Sequence, residues 1–219
     1  MGDRIQETAR AAVRRYGRTY AEEAGIQLGD RPAPLYQLLV LTTLLSTRIS
    51  ATIAVAAARE LFAAGYRTAP AMLAASWQDR VDALGRGHYK RYDERTATML
   101  GNAAELCQER WHGDLRRLHR EAGSDVRALR RLLTEFPGIG PTGADIFLRE
   151  VQVVWTDVAP YLDRKVVSGA KRLDLPASGE RLSALVGQDD VPRLASALVR
   201  VSIDAKAAEG VRAEVSGRS

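Results

Sequence analysis

The sequence predicts an all-α protein, and three observations lead to this prediction. Apolar residues recur every three or four positions along most of the chain, which is the period of an amphipathic helix. Glycines such as Gly25 and Gly65 follow the periodic stretches, where helices commonly end. Only residues 151–155 have the composition of a short strand, and a helix end explains them equally well.

The periodic stretches define about ten helices joined by short connections. The second helix is apolar on nearly all sides, which predicts a central position. It follows a linker at residues 29–34 that contains two prolines and an aspartate. In order, the predicted helices cover about residues 5–20, 35–45, 49–61, 71–75, 77–84, 96–106 and 125–135, then one from Pro141, one from near Asp163, and 191–208.

Composition is that of a soluble globular protein, with 46% apolar and 27% charged residues among 219. This composition excludes a disordered or collagen-like chain, and the length allows a sizeable core. No apolar stretch reaches the roughly 18 residues that a bilayer requires. Residues 1–15 carry many charges and no apolar centre, so we expect no secretory signal and a cytoplasmic location.

A single cysteine, Cys107, excludes an internal disulfide and cannot supply four ligands to zinc or an iron–sulfur cluster. Its place in a helical pattern predicts a core position. His112 and His119 lack partners at metal-ligand spacing, so we expect no metal site and no cofactor. The net charge is +5, with arginine far more frequent than lysine. This bias fits an anionic partner, but the base composition of the genome explains it as well.

The segment Phe136-Pro-Gly-Ile-Gly140 lies between two predicted helices. Its two glycines allow a tight turn and bring bare backbone close to a ligand. Pro141 suits the first position of the next helix, whose free N–H groups then point outward at a positive helix end. Such an end binds phosphate without reading base sequence. Taken alone, the motif also fits a plain turn between helices.

Twenty-three residues after Gly140, the segment Tyr161-Leu-Asp-Arg-Lys-Val-Val167 places Asp163 at a helix start. Together, the two segments resemble the helix-hairpin-helix (HhH-GPD) DNA glycosylase superfamily, in its endonuclease III-like branch. That family has Leu-Pro-Gly-Val/Ile-Gly, followed by Val-Asp-Thr-His-Val-x-Arg. Residues 34–40 and 44–48 are similar to its Pro-Phe-Glu-Leu-Leu-Val and Leu-Ser-x-Gln segments, so the resemblance covers about residues 33–175.

The resemblance implies a two-lobed helix-hairpin-helix fold with DNA in the cleft between the lobes. One lobe is residues 33–150, with the helix-hairpin-helix at about 125–151, and the other is 1–32 plus 151–219. The family's catalytic aspartate corresponds to Asp163. Its carboxylate would stabilise positive charge on the sugar as the N-glycosidic bond of a flipped base breaks. A simple helix N-cap also explains an aspartate there.

This chain departs from the family pattern in three places. Bifunctional members have a lysine where this chain has Thr142, which cannot form a Schiff base. The four-cysteine cluster is absent. Arg48 replaces the glutamine that fills the space left by the flipped base, and it is either a substitute for that glutamine or a surface charge. Lys165 is the amine near Asp163 in sequence, and a solvated helix position also explains it.

We therefore expect a DNA N-glycosylase of base excision repair, monofunctional and monomeric, acting on duplex DNA with a damaged or mismatched base. The alternatives are a non-catalytic DNA-binding protein of the same fold and a bifunctional glycosylase and AP lyase. His88 and Tyr89, in the basic aromatic loop 87–92, are base-pocket candidates, although packing also explains them. The predicted DNA contacts are Gly138, Ile139, Gly140, Thr142, Arg48 and Lys165.

Overall fold

A computed structural model describes residues 2–123 and 125–217. Within these ranges the chain forms fourteen α-helices, one 3-10 turn and no strand, which confirms the predicted all-α class. The helices are α1 (Gly2–Tyr16), α2 (Tyr20–Glu23), α3 (Pro32–Leu45), α4 (Ala51–Ala63), α5 (Ala69–Ala74), α6 (Trp77–Arg86), α7 (Asp93–Trp111), α8 (Leu115–Ala122), α9 (Val126–Leu133), α10 (Pro141–Val151), α11 (Arg164–Arg172), α12 (Gly179–Val186), α13 (Val191–Ile203) and α14 (Ala205–Ser216).

The chain divides into two compact units. The continuous unit is residues 21–154, and the discontinuous unit joins residues 1–20 to residues 155–219. Helices α3 to α10 belong to the first, and α1 with α11 to α14 belongs to the second. The lobe limits at residues 33 and 150, and the DNA cleft implied by the resemblance, stay predictions.

Helix α3 is the centre of the continuous unit. Its residues from Pro34 to Leu44, except Gln37, are buried, as its apolar composition predicts. Helices α4, α7, α8 and α10 pack against it. Thr43 is among the buried residues, and its hydroxyl donates to the carbonyl oxygen of Leu39 at 3.0 Å. Helix α3 therefore provides a fixed support for the elements around it.

Several helix limits differ from the sequence expectation. Helix α8 was not predicted because arginine and histidine make up half of its short length, and α12 was also missed. The predicted helix 191–208 is interrupted at Asp204, which is extended and caps α14 by accepting from the Lys206 N–H at 2.9 Å. The chain from residue 152 to 154 is a turn at the end of α10 and not a strand.

The discontinuous unit packs α1 and α11 against α13, and α14 against α1. Gly169 of α11 lies so close to the backbone of Leu198 in α13 that a Cβ atom at residue 169 would overlap the Leu198 carbonyl oxygen. At the surface, Arg14 of α1 pairs with Glu214 of α14 at 2.7 Å. The two ends of the described chain thus share one core. No helix in the described ranges is long and apolar enough to cross a membrane.

We predict that Gly169→Ala destabilises the protein by about 1–3 kcal/mol, because α11 and α13 must separate to admit one methyl group. Gly85→Ala is the matched control, since a Cβ atom at this helical position meets nothing within 4 Å. The control should change stability by less than about 1 kcal/mol. Urea unfolding of both variants measures the difference, and equal midpoints would contradict the close packing.

Candidate functional site

The hairpin between α9 and α10 has the tight turn that its glycines predict. Gly138 adopts a φ of +88°, a conformation that side chains with a Cβ atom rarely tolerate. Ile139 follows with only 3% of its surface exposed, and its N–H donates to the Phe136 carbonyl oxygen at 3.0 Å. Ile139 therefore anchors the turn, whereas Gly138 and Gly140 on either side are exposed.

Two glycines bring the hairpin against the end of α3. A Cβ atom on Gly138 would lie 3.0 Å from the Met99 sulfur and 3.2 Å from the Thr43 methyl carbon. A Cβ atom on Gly143, in the first turn of α10, would overlap the hydroxyl oxygen of Ser46. Gly143 was not among the residues singled out in the sequence. Because its neighbour is distant in sequence, no local pattern identified it.

Gly140 differs from these two glycines. Its φ of −89° is accessible to any residue, and a Cβ atom there would meet nothing within 4 Å. It stands at the N-cap of the eleven-residue α10, where no side chain caps the helix and Pro141 follows. The fold itself does not require glycine at this position. Its small size matters only to a molecule that approaches the N-terminus of α10 from outside.

The first turn of α10 offers backbone donors rather than charged side chains. Thr142 is exposed there, two residues after Gly140. The acid in the next turn, Asp145, pairs with Arg130 of α9 at 2.8 Å, so its charge is balanced within the motif. The helix dipole and the N–H groups of the first turn remain to attract an anion.

Aromatic packing fixes the other side of the hairpin. The rings of Phe136 and Trp111 are 5.2 Å apart between centroids. The Trp111 indole N–H donates to Glu121 of α8 at 2.7 Å, which holds the ring in place. Trp111 is 1% exposed and belongs to the core of the continuous unit.

Arg48 lies in the short loop between α3 and α4, and its side chain is exposed. The residues before it are fixed by hydroxyl groups. Ser46 donates to the Thr42 carbonyl oxygen at 2.7 Å, and Thr47 donates to the Leu44 carbonyl oxygen at 3.0 Å. Ser46 also lies against Gly143 in the first turn of α10. Arg48 is therefore only two residues along the chain from the contact that supports the hairpin.

His88 and Tyr89 have opposite environments despite being neighbours. Tyr89 is fully buried, and its hydroxyl lies 2.6 Å from the Thr47 hydroxyl. Burial raises the pKa of Tyr89, so the phenol is protonated at neutral pH. Its ring is not accessible for stacking on a base, and its contact is with the Arg48 loop. His88 is exposed, with a φ of +63°.

Asp163 is the N-cap of α11, and its Oδ1 accepts from the N–H groups of Lys165 at 2.7 Å and Val166 at 2.9 Å. Asp163 is 9% exposed. The Lys165 side chain is exposed. The close contact at Gly169 anchors this helix to α13, so the position of the carboxylate is set by the core of its own unit.

The structure groups the candidates by unit. The hairpin, Arg48, His88 and Tyr89 belong to the continuous unit, and Asp163 and Lys165 to the discontinuous unit. Among residues 2–123 and 125–217, no three histidine, cysteine, aspartate or glutamate side chains are grouped so that they could hold a metal ion.

Comparisons with known proteins give one kind of match. No known family profile matches the chain, and no curated protein matches it. Among solved structures, the chain is similar to a trapped covalent intermediate of endonuclease III with DNA, in an estranged-adenine complex. The identity is 16% and the TM-score 0.48, over 83% of this chain and 81% of the other. At these values the similarity does not transfer an activity or a site residue to this chain.

We predict that Gly140→Ala weakens DNA binding roughly tenfold, because a methyl group at this open position keeps a phosphate from the first-turn N–H groups. The loss should be equal on unrelated duplex sequences, since phosphate contacts carry no base information. Fluorescence anisotropy with several duplexes measures it.

Gly85→Ala is again the control, and thermal melting should show both variants folded. Gly138→Ala is a poor substitute for Gly140→Ala. A methyl group on residue 138 is strained at the positive φ and crowds Met99, so it would disturb the turn itself. Unchanged affinity of folded Gly140→Ala protein for all duplexes would remove the hairpin from the interface.

Proposed function

We propose that this protein is a DNA N-glycosylase that removes a damaged or mismatched base from duplex DNA. The observation that carries the proposal is the hairpin at residues 136–143. It presents an uncapped helix N-terminus beside open space at Gly140, on a turn held by buried Ile139. Such an end suits a phosphate of the DNA backbone. The resemblance of the hairpin and of the Asp163 segment to glycosylase motifs supports the enzymatic part.

In the proposed reaction, water replaces the base at C1′ of the deoxyribose. The bond from C1′ to the base nitrogen breaks, the base leaves with its electron pair and takes up a proton, and C1′ acquires positive character. The Asp163 carboxylate stabilises this charge and orients or deprotonates the attacking water. The base must first leave the helical stack, and exposed Arg48 is proposed to fill the space that it vacates.

The reaction is proposed to end with the abasic site intact. Cleavage of the strand by β-elimination needs an amine that attacks C1′ to form a Schiff base. Thr142 at the family's lysine position has a hydroxyl and no amine. Of the two base-pocket candidates, the proposal keeps only His88, which is exposed. The ring of Tyr89 is buried, and its hydroxyl contacts Thr47 in the Arg48 loop, so its proposed role is to position that loop.

A non-catalytic DNA-binding protein is the second candidate, and one observation favours it. The hydrogen bonds that Asp163 Oδ1 accepts from the Lys165 and Val166 N–H groups are those of an ordinary N-cap, which explains an aspartate there without catalysis. Loss of the Asp163 charge with retention of the cap separates the two candidates.

We predict that Asp163→Asn reduces base excision on the order of 10²- to 10⁴-fold, because it removes the charge that faces the developing cation. Asparagine retains an oxygen acceptor, so the cap of α11 and the folded state should persist. Single-turnover excision, on the best substrate from a panel of duplexes with one lesion each, measures the effect.

Asp204→Asn is the matched control, because Asp204 caps α14 in the same unit through the same kind of bond. It should leave excision within about twofold of the parent, as expected for a conservative change of a surface cap. If folded Asp163→Asn protein excises as fast as this control, Asp163 is only a cap. If neither variant nor the parent excises any lesion, the binding protein is the better description.

We also predict that borohydride traps no covalent adduct with lesion DNA, because Thr142 cannot form an imine. The strand should break only after alkali treatment, as gel electrophoresis with and without alkali would show. Efficient trapping that disappears in Lys165→Ala would instead identify Lys165 as the attacking amine and the protein as a bifunctional enzyme.

A further inference from the structure

A cavity of about 500 Å³ opens in the continuous unit between the first turn of α3 and the end of α4. This volume is within the usual range for small-molecule sites. Three arginines from three segments line it, Arg31 before α3, Arg59 in α4 and Arg67 after α4. None of the described residues that line the cavity is acidic. An arrangement of guanidinium groups without a carboxylate favours an anionic ligand.

Two of the arginines are held in place by backbone carbonyl groups. Arg59 donates from Nε to the Glu23 carbonyl oxygen at 2.8 Å and also from Nη2. Arg67 donates from Nε to the Phe62 carbonyl oxygen at 2.8 Å. A carbonyl group orients a guanidinium group but does not neutralise its charge. Both side chains therefore keep further N–H donors and their full charge for a ligand. Because they are already ordered in the free protein, a ligand loses less free energy in immobilising them.

The N-terminus of α3 adds a positive end to the same cavity. The first and third positions of this helix are Pro32 and Pro34, which have no N–H group, so Ala33 supplies the one donor of the first turn. The Leu35 N–H is already bonded to the Arg31 carbonyl oxygen. The arginine side chains must therefore provide most of the hydrogen bonds to an anion, and the helix contributes mainly its dipole.

Apolar side chains form another part of the wall, contributed by Ala24, Pro34 and Phe62. Gln27 and Gln37 add amide groups that can bind a polar ring edge. We propose that this cavity binds a phosphate-bearing ligand of nucleotide size, with the phosphates on the three arginines and the base on the apolar wall. The source is either a free nucleotide or the phosphorylated end of a nucleic-acid strand.

This cavity is separate from the hairpin. It lies at the first turn of α3, whereas Gly138 and Gly143 contact the last turn and the residue after it. A helix of 14 residues is about 20 Å long. The proposal stands independently of glycosylase activity, because none of the cavity residues belongs to the proposed catalytic or DNA-binding set.

Calorimetric titration of the full chain with ATP, with tripolyphosphate and with a short single strand bearing a terminal phosphate tests the proposal. Arg31→Gln should weaken binding of the better ligand about tenfold, because a charged hydrogen-bond donor is lost. Ala63→Glu, at the exposed end of α4, should weaken it at least as much by placing a negative charge at the cavity. Arg127→Gln, an exposed arginine on α9, is the matched control and should have no effect.

Each outcome has a distinct meaning. Binding of ATP that exceeds binding of tripolyphosphate, with loss in both cavity variants, supports a free nucleotide. Binding of the phosphorylated strand alone, with the same losses, supports a strand end. No binding of any probe, equal affinity for ATP and tripolyphosphate, or equal weakening by Arg127→Gln overturns the proposal. Lesion excision by Arg31→Gln protein should match the parent, so a failure here does not bear on the glycosylase proposal.

Discussion

The contact between the hairpin and the last turn of α3 determines the shape of the candidate interface. Gly138 and Gly143 both lie against this turn, and Ser46 completes it with a hydroxyl group that leaves no room for a Cβ atom on Gly143. Because α3 is buried along nearly its whole length, its last turn cannot adjust to admit a larger residue. A phosphate site made of backbone N–H groups needs such a support, since it has no flexible side chain to correct an error in position.

Positive charge is distributed differently at the two ends of α3. At the C-terminal end, the charge of Asp145 in the hairpin motif is balanced by Arg130. The N-terminal dipole of α10 is then what attracts an anion, and its effect is limited to the first turn. At the N-terminal end, three guanidinium groups face a cavity without a carboxylate among its described lining residues. The first arrangement suits a repeating phosphate chain that passes by, and the second suits a compact group of phosphates that enters. Under the two proposals, one buried helix supports two binding surfaces with different ligand preferences.

The sequence predicted the helical class, the hairpin turn and the acid at the start of α11, because each depends on local rules for periodicity, glycine and capping. It did not reveal why Gly143 is glycine or that Tyr89 is buried, since Ser46 and Thr47 reach them only in the folded chain. Helix α8 was missed because its many charged residues leave too few apolar ones to show a helical period. The cavity at Arg31 was missed because its arginines come from separate segments.

The shared core of the two chain ends has a consequence for synthesis on the ribosome. Helix α1 is translated before residues 21–154, which form a compact unit of their own, and its partners α13 and α14 are translated after them. The apolar face of α1 includes Ala9 and Ala12, which are 0% exposed in the folded state. This face is therefore exposed to solvent until the rest of its unit has been translated. A unit of this kind closes over a long intervening segment, and contacts between residues so distant in sequence form slowly. Until those helices are made, the apolar face of α1 is a surface that promotes aggregation.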